Sequence, residues 1–316
     1  MPLELKMYSE EEALAAISRD DVRKALREAF GGLDGSRTVQ PPQTLTPFPD
    51  DEGDCIFYPG VIYGLDIVGV KVSPYINALK RDGKYPVTAY TLLLSAKTGK
   101  PIVLCDSYAL TTIRTAATTA LALEYLTAPN ASKLAIIGTG VVAIEHLRFV
   151  SSQHNWEEIK VWSPSMNSDG ARAKTVGDSI EGISPKASVA KSLDAAVEDA
   201  QVIMLCTSSG SPVVHTNQLP ADCVVTSIST NAPKAHEIEP STLGEFAVFC
   251  DYIETAPVTA GEMLIAIESG SWSADKVAGD LAGLVTGKVQ RPSNGRIFFR
   301  STGLAIEDLA VANLLR

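Results

Sequence analysis

Patterns for metal ligation and for disulfides are scarce in this sequence of 316 residues. The five cysteines are scattered, odd in number and form no C-x-x-C pair, and the four histidines show no ligand spacing. Most of the cysteines stand in apolar, strand-like runs, which favours buried free thiols in a reducing compartment. We therefore predict a cytoplasmic protein without a metal site.

Long apolar runs and clusters of basic residues are absent as well. No run approaches the roughly 18 apolar residues that span a membrane, and the acidic N-terminus lacks a signal-peptide core. The net charge is −10 and Lys and Arg do not cluster, which argues against nucleic acid as a partner. The length allows two domains of ordinary globular composition.

The sequence does contain a strand, a tight glycine turn and a helix in direct succession. An apolar run ends at Ile137, and Gly138, Gly140 and Ala143 follow at G-x-G-x-x-A spacing before a segment with helical periodicity. Gly138 permits the turn, Gly140 lets the backbone approach a pyrophosphate, and Ala143 lets the helix pack on the strand. The helix N-terminus would offer N–H groups to the phosphates. This pattern predicts a dinucleotide-binding unit.

The pattern of predicted elements changes near residues 128–130, where a proline breaks a helix. From Lys133 onward short apolar strands alternate with helices, the latter including Lys276–Leu281, which predicts a Rossmann doubly wound parallel sheet. The first third is mostly antiparallel β. There we predict strands over Cys55–Tyr58 and Val61–Val72, joined by a turn at Pro59-Gly60.

The residues after the second strand of the Rossmann unit indicate which cofactor it binds. An acidic residue about 20 positions past the glycines usually holds the ribose hydroxyls of NAD. Here Ser163, Ser165 and Asn167 occupy this region, and the nearest acid is Asp169. Because these side chains would not repel a 2′-phosphate, we favour NADP(H) and keep NAD(H) as the alternative. The other candidate cofactor-binding residues in the Rossmann unit are Thr139, Val141, Val142, Thr207 and Ser229.

Three basic residues of the first third are candidates for binding an anionic substrate. Arg37, Lys71 and Arg114 come from separate segments, two of them apolar, and an unpaired cation is costly to bury there. Binding of an anionic ligand would compensate such a buried cation, and the planar guanidinium of Arg114 suits a carboxylate. The alternative for each residue alone is a snorkelling side chain or a structural ion pair.

Several motifs follow one another in a characteristic order. They are the Arg37 segment, Lys71 after an apolar strand, Thr98-Gly99-Lys100-Pro101, the Arg-Thr-Ala-Ala core of residues 110–117, GTG at 138–140, Asn231-Ala232-Pro233 with Glu237-Ile238, and Ser301-Thr302-Gly303 before Glu307-Asp308. With these motifs the chain resembles the ornithine cyclodeaminase/mu-crystallin family over nearly its whole length.

The resemblance implies both an architecture and an assembly. Residues 128–295 would form the Rossmann dinucleotide-binding domain. Residues 1–127 and 296–316 would form a mixed α+β domain for substrate binding and dimerisation, built from the N-terminal part and the C-terminal helix. A homodimer built on the N-terminal sheet is implied too.

The resemblance also implies roles for single residues. Arg37, Lys71 and Arg114 would grip an α-carboxylate, Ser301 would lie near the nicotinamide, and Thr302 would lie near the substrate. Lys71 is the best candidate for a proton donor, because burial can lower the pKa of a lysine towards neutrality.

The sequence departs from the cyclodeaminases of this family at positions that matter for chemistry. Asn231 stands where they have an aspartate active in proton transfer, and Asn cannot act as a base, although it could orient an imine or a water. The strand around Ile56-Phe57 lacks their glutamate, and Val142 replaces a frequent glutamine. The first two departures argue against cyclisation of ornithine.

The remaining family activities are redox reactions of amino and imino acids. We predict an NAD(P)H-dependent dehydrogenase of an L-amino acid, with a basic amino acid such as arginine as a candidate. The alternatives are a reductase of a cyclic ketimine such as Δ1-pyrroline-2-carboxylate and a mu-crystallin-like protein that binds NADPH without turnover.

Overall fold

The computed structural model describes residues 5–33, 35, 37–168, 170–229 and 234–316. The chain divides into two compact units, Met1–Ala117 with Gly303–Arg316, and Thr118–Thr302.

The first unit is built on a seven-stranded sheet with the order β1-β7-β6-β5-β4-β2, in which β3 pairs with β4. Its strands are β1 (Lys6–Tyr8), β2 (Thr38–Val39), β3 (Thr44–Pro47), β4 (Gly53–Ile62), β5 (Ile67–Ile76), β6 (Tyr90–Leu94) and β7 (Pro101–Asp106). Its helices are α1 (Glu10–Ala16), α2 (Arg19–Leu33), α3 (Asn77–Arg81) and the start of α4 (Tyr108–Leu126), to which α11, described below, adds the C-terminal helix. All pairs of this sheet are antiparallel except β1 with β7.

The predicted turn at Pro59-Gly60 is wrong. Both residues lie inside β4, where Pro59 pairs with Val70 and Gly60 with Gly69, and the connection to β5 comes later, at residues 63–66. Gly60 serves packing instead of a turn. A Cβ at Gly60 would lie 3.1 Å from side-chain atoms of Ala305 and Leu309, so the glycine lets a helix approach the sheet closely.

That helix is α11 (Ala305–Ala312), and all eight of its residues are buried. It contacts β4, β5 and β6 of the sheet as well as α2. A helix that is apolar on nearly every side is one that the fold covers completely. Its first turn nevertheless carries two acidic side chains, Glu307 and Asp308, and these must find partners inside the unit.

The second unit is built on an eight-stranded sheet. Its strands are β8 (Lys133–Ile137), β9 (Glu158–Trp162), β10 (Ala187–Val189), β11 (Val202–Leu205), β12 (Val224–Ser227), β13 (Ala247–Cys250), β14 (Val277–Asp280) and β15 (Ile297–Arg300). Its helices, besides the rest of α4, are α5 (Val141–Val150), α6 (Ser165–Ser168), α7 (Gly170–Ile183), α8 (Leu193–Val197), α9 (Gly261–Glu268) and α10 (Leu281–Val285).

The strand order of this sheet is β10-β9-β8-β11-β12-β15-β13-β14, and every pair is parallel. The chain leaves β8 on one side through β9 and β10 and returns to its other side at β11. This reversal is the topological switch point beside which doubly wound folds bind their ligands, at the carboxyl ends of the strands. The predicted doubly wound parallel sheet is therefore confirmed.

Two details of the second unit correct the expectations. The segment Lys276–Leu281 is mostly strand, not helix: β14 pairs with β13, and Asp280 accepts a hydrogen bond from the Gly283 N–H at 2.8 Å to start α10 only at Leu281. The compact units meet at 117/118 and 302/303, whereas we expected 127/128 and 295/296. The reason at the second boundary is that β15 pairs with β12 and β13 in the Rossmann sheet.

Within the described ranges, no helix combines the length and the apolar character that crossing a membrane requires.

Candidate functional site

A buried cluster of charged side chains lies in the first unit, and it contains two of the three predicted substrate-binding residues. Lys71 comes from β5, Arg114 from α4, and Glu307 and Asp308 from the first turn of α11. The Lys71 Nζ lies 2.9 Å from Asp308 Oδ2, and each of these side chains is 2% exposed. Two cations and two carboxylates are thus held together away from water.

Arg114 binds both carboxylates of this cluster. Its Nε donates to Asp308 Oδ1 at 2.8 Å and its Nη1 donates to Glu307 Oε2 at 2.7 Å. Gly303 packs directly against the guanidinium, because a Cβ at this glycine, whose φ is +80°, would lie 2.7 Å from Nη1. A guanidinium has five N–H groups, which is more than the bonds to Asp308 and Glu307 use.

The surroundings change the acidity of both basic groups. The pKa of Lys71 is lowered to about 8, because burial and the like charge of Arg114 outweigh the opposing effect of Asp308. Burial alone would lower the pKa of Arg114 too, but Asp308 and Glu307 outweigh it and the net direction is upward. Arg114 is therefore a permanent cation, whereas Lys71 can exchange a proton near physiological pH.

Tyr58 completes the surroundings of the lysine. It pairs with Lys71 across β4 and β5, and the Lys71 Nζ lies 4.2 Å from the centre of the Tyr58 ring. An ammonium over an aromatic face is attracted by the ring quadrupole. The sheet register therefore sets the position of the ammonium group as well as that of the strand.

Arg37 stands apart from this cluster. It is exposed, its guanidinium carbon lies 5.4 Å from the centre of the Tyr63 ring, and it immediately precedes β2 at the turn end of the β4–β5 hairpin. The prediction that Arg37 grips the same carboxylate as Lys71 and Arg114 stays a prediction.

The partners of the two buried cations were not among the predicted site residues. The family resemblance includes Glu307 and Asp308 only as part of a motif and implies no role for either. The available signal was that two adjacent carboxylates open a final helix that is otherwise apolar. Acidic residues in a first helical turn are common for electrostatic reasons, so this signal is weak.

In the second unit, the predicted glycine turn joins β8 to α5. Gly138 has φ +132°, and a Cβ there would lie 2.3 Å from the carbonyl oxygen of Cys206. Gly140 is the N-cap of α5 without any side-chain cap, and a Cβ there would meet nothing within 4 Å. The turn thus offers an uncapped helix N-terminus with open space beside it.

The serines after β9 form a chain with the glycine turn. Thr139 Oγ1 lies 3.0 Å from Ser163 Oγ, which lies 2.9 Å from Ser165 Oγ. Ser163 directly follows β9, at the position where NAD-binding folds commonly place an acid. The side chain of Asn167 and all of Asp169 lie outside the described part of the chain.

The loops after β11 and β12 are joined through one buried carboxylate. Glu237 accepts hydrogen bonds from the N–H and the hydroxyl of Thr207 and from the N–H of Ser229. The Ser229 hydroxyl is buried and has no hydrogen-bond partner among the described residues. The hydroxyl proton of Thr207 is engaged by the protein, whereas the described residues offer no partner to the Ser229 hydroxyl.

The residues predicted to lie near the nicotinamide and the substrate are held by a second buried carboxylate. Asp251, which follows β13, accepts hydrogen bonds from the N–H and hydroxyl of Thr302, and its Oδ2 lies 3.5 Å from Ser301 Oγ. These hydrogen bonds fix the backbone directly after β15. Asn231, the predicted partner of the substrate imine, lies outside the described residues.

These observations fit a dinucleotide in the second unit. The donors are the uncapped N-terminus of α5 and the Ser229 hydroxyl, and the residue at the ribose position carries no negative charge. Among the residues that the structure describes, no three His, Cys, Asp or Glu side chains come together as metal ligands would.

Comparisons with known proteins agree with this architecture. A sequence model of the ornithine cyclodeaminase/mu-crystallin family matches residues 4–316. The chain is 46% identical to the NAD(P)H-dependent anabolic L-arginine dehydrogenase DauB of Pseudomonas aeruginosa, over 96% of this chain and 94% of that protein. It is 26% identical to a Δ1-pyrroline-2-carboxylate reductase of Bacillus cereus, over 91% of this chain and 88% of that protein.

A solved structure shows the same fold. An archaeal alanine dehydrogenase dimer with bound NAD superposes with a TM-score of 0.88 at 26% identity, covering 98% of this chain and 94% of that one.

Proposed function

This chain belongs to the ornithine cyclodeaminase/mu-crystallin family, and from that premise we propose that it is an NAD(P)H-dependent oxidoreductase acting on the CH–NH2 group of an L-amino acid. The first unit would bind the amino or imino acid and the second unit the cofactor. The observation that carries the proposal is the buried pair of Lys71 and Arg114, one an exchangeable proton donor and the other a permanent carboxylate-binding group.

The chain's own residues supply binding and proton transfer. Arg114 would bind the α-carboxylate through the N–H groups that Glu307 and Asp308 do not engage. Lys71, with a pKa lowered to about 8, would donate a proton to the imine nitrogen in reduction and accept one from the amine in oxidation. When bound, the nicotinamide supplies the hydride to the imino carbon or accepts it from Cα. Burial of the cluster would exclude water from the reacting atoms.

L-arginine is the first candidate substrate. The relative that is 46% identical is named for it, and the first unit carries an exposed acidic segment, Asp50-Asp51-Glu52, that could meet a guanidinium. One of these acids is already engaged, since Glu52 pairs with Arg81 at 2.6 Å. The segment therefore supports the substrate proposal only through Asp50 and Asp51.

The alternative is reduction of Δ1-pyrroline-2-carboxylate or a related cyclic ketimine. The Bacillus cereus relative is named for that activity, and the same carboxylate clamp and proton donor would serve a cyclic imine. The two reactions differ in one requirement, because a dehydrogenase running in reverse consumes free ammonia and a cyclic-imine reductase does not.

One assay series tests both activities. The purified protein is mixed with NADP+ at alkaline pH, and reduced cofactor is followed by absorbance across the twenty L-amino acids and ornithine. Turnover with arginine or another amino acid supports the dehydrogenase and identifies its substrate. Silence across the panel, followed by oxidation of NADPH with Δ1-pyrroline-2-carboxylate, supports the reductase. Silence in both assays contradicts the proposed function.

The pH dependence of the two directions should mirror the titration of Lys71. Reduction needs the protonated side chain of Lys71, so kcat/KM for reduction should fall as the pH rises through about 8. Oxidation needs the neutral side chain of Lys71, so kcat/KM for oxidation should rise as the pH rises through the same value. Residual activity of Lys71→Arg should lack this inflection, because arginine keeps its proton. An unchanged inflection in that variant would assign it to another group.

We propose a preference for NADP(H), supported by the uncharged chain of hydroxyls at Ser163. The variant Ser163→Asp should shift the ratio of kcat/KM values towards NAD(H) by about 100-fold, since a carboxylate near a 2′-phosphate is repelled by a few kcal/mol. Ser163→Asn is the matched control, because it has nearly the same size without the charge. Equal ratios in both variants would mean that size, not charge, decides the preference.

A homodimer is supported by the exposed face of the first sheet. On the face opposite α11, the register places apolar side chains in three rows across β4, β5 and β6. The rows are Phe57–Val72–Tyr90, Pro59–Val70–Leu92 and Val61–Val68–Leu94. All nine are half-buried or exposed in the single chain. A contiguous apolar sheet face of this kind fits a second copy, and one structural relative forms a dimer.

The variant Leu92→Lys should convert the dimer into a monomer at micromolar concentration, because it places a charge in the middle row of that face. Size-exclusion chromatography with light scattering measures the mass. Val258→Lys, at a valine that is 62% exposed in the second unit, is the control and should remain dimeric. A dimeric Leu92→Lys protein would place the interface elsewhere.

A further inference from the structure

Glu237 lies at the carboxyl edge of the Rossmann sheet and accepts four hydrogen bonds. Its side chain is fully buried. Oε1 receives the N–H of Thr207 at 2.8 Å and its hydroxyl at 2.6 Å. Oε2 receives the hydroxyl of Ser227 at 2.7 Å and the N–H of Ser229 at 3.0 Å. One carboxylate therefore joins the chain just after β11 to the chain just after β12.

Two of the four donors are backbone N–H groups, and this makes the carboxylate hard to replace. A hydroxyl can rotate to another acceptor, whereas the N–H groups of Thr207 and Ser229 have directions set by the chain. They approach different oxygens of Glu237. A glutamine has only one oxygen, so its NH2 group would face one of the two N–H groups.

The loop that Glu237 holds is also the support of the glycine turn. Thr207 directly follows Cys206, whose carbonyl oxygen lies 2.3 Å from the position that a Cβ of Gly138 would take. Ser229, at the other oxygen, has the hydroxyl without a partner in the described chain. Two features that fit a dinucleotide therefore depend on the same carboxylate.

We propose that Glu237 is a positioning residue for NAD(P)(H), which fixes the loops after β11 and β12 in the geometry that binds the cofactor. This inference rests on the proposed function. It assigns Glu237 no contact with the cofactor and no part in proton transfer. Its effect is transmitted through Thr207 and Ser229.

The charges around Glu237 offer a second way for it to act, and the test must separate the two. Arg300 of β15 lies on the other side of Ser227, with Nη1 3.5 Å from its hydroxyl, and Nε of Arg300 lies 3.1 Å from Glu262 Oε1. With both carboxylates ionised, Glu237, Glu262 and Arg300 would together carry one net negative charge. A carboxylate that acted by charge alone would favour the positively charged oxidised nicotinamide over the neutral reduced one.

The test compares Glu237→Gln with the wild-type protein by three measurements. These are the Kd values of NADPH and NADP+ by fluorescence titration, hydrogen exchange of the Thr207 and Ser229 amides, and thermal stability. We expect both cofactors to bind about 10- to 100-fold more weakly. At least one of the two amides should lose protection, and the KM for the amino acid should change much less. Glu239→Gln is the matched control, because it removes the same charge two residues away at a half-exposed position.

The other possible results of these measurements would overturn the proposal or assign Glu237 a different role. Cofactor affinity within twofold of wild type would overturn the proposal. Weakened binding of NADP+ alone, with both amides still protected, would assign Glu237 an electrostatic role. Loss of protection extending into β11 and β12, with a large fall in Tm, would assign it to fold stability.

The milder variant Ser227→Ala removes one donor. This variant keeps the proposal testable if Glu237→Gln does not fold. We expect it to bind the cofactors with an affinity below that of wild type and to exchange the Ser229 amide faster. Wild-type affinity in this variant would overturn the proposal. A wild-type protein that binds neither cofactor would contradict the proposed function itself, and with it the role of Glu237.

Discussion

Replacing Lys71 by methionine is expected to lower kcat by about 1,000-fold, in the range that general acid–base catalysis contributes. The Kd for NADPH should stay within about twofold of wild type, because Lys71 belongs to the first unit and the candidate cofactor residues to the second. Methionine keeps much of the length of the lysine and removes its charge. Steady-state kinetics with the best substrate of the panel and a fluorescence titration with NADPH give the two numbers.

The matched control for this variant is Lys80→Met, at an exposed lysine of the same unit, which should retain full activity. Loss of NADPH binding in the Lys71→Met protein would mean that this lysine supports the structure instead of the chemistry. Full turnover in that protein would remove Lys71 from the mechanism and leave a water molecule or another titratable group as the proton donor.

The variant Arg114→Lys is expected to raise the KM for the amino acid by about 100- to 1,000-fold. A lysine keeps the positive charge that Glu307 and Asp308 need, but it cannot present two parallel N–H groups to a carboxylate. Losing one or two charge-assisted hydrogen bonds corresponds to a few kcal/mol, and each 1.4 kcal/mol is tenfold in affinity. Initial rates at increasing amino acid concentration measure the change.

Arg148→Lys is the control for Arg114→Lys, because Arg148 also pairs with a glutamate but is 43% exposed. Arg148 lies in the second unit, and a lysine keeps the charge that faces Glu145, so this variant should leave KM unchanged. A KM for the amino acid in Arg114→Lys that stays within threefold of wild type would contradict the assignment of the substrate carboxylate to Arg114. A larger change at this site, such as Arg114→Met, would remove the buried cation that Glu307 and Asp308 share and would leave Lys71 as a cation for Asp308 alone. Breaking a buried pair in this way costs about 3–5 kcal/mol of folding free energy, so the variant would test folding instead.

The parts of the molecule that follow from local sequence were predictable. The turn at Gly138 depends on the spacing of a few residues in one segment, and a strand-turn-helix pattern encodes it completely. Lys71 and Arg114 were identifiable because a cation in an apolar segment is conspicuous wherever its partner lies. The alternation of strands and helices after Lys133 similarly indicated the parallel sheet.

The parts that depend on distant contacts were not predictable. Arg114 and its acceptors are 193 and 194 residues apart in sequence. Glu237 stands in one of the family motifs, but its own segment does not indicate that it accepts hydrogen bonds from the loops after β11 and β12. Pro59-Gly60 carried a strong turn signal that packing overrides, because the glycine is needed where α11 approaches the sheet. In each case the deciding partner comes from another element of the fold.

The balance of charges in the buried cluster has a consequence for which small molecules the first unit can accept. With Lys71 protonated, its two cations and two carboxylates cancel. An amino acid zwitterion adds no net charge to this balance, whereas a 2-oxo acid adds an uncompensated anion to a place without water. We expect the empty protein to favour dipolar ions over simple organic anions, so that the deaminated product leaves more readily than the amino acid from which it came.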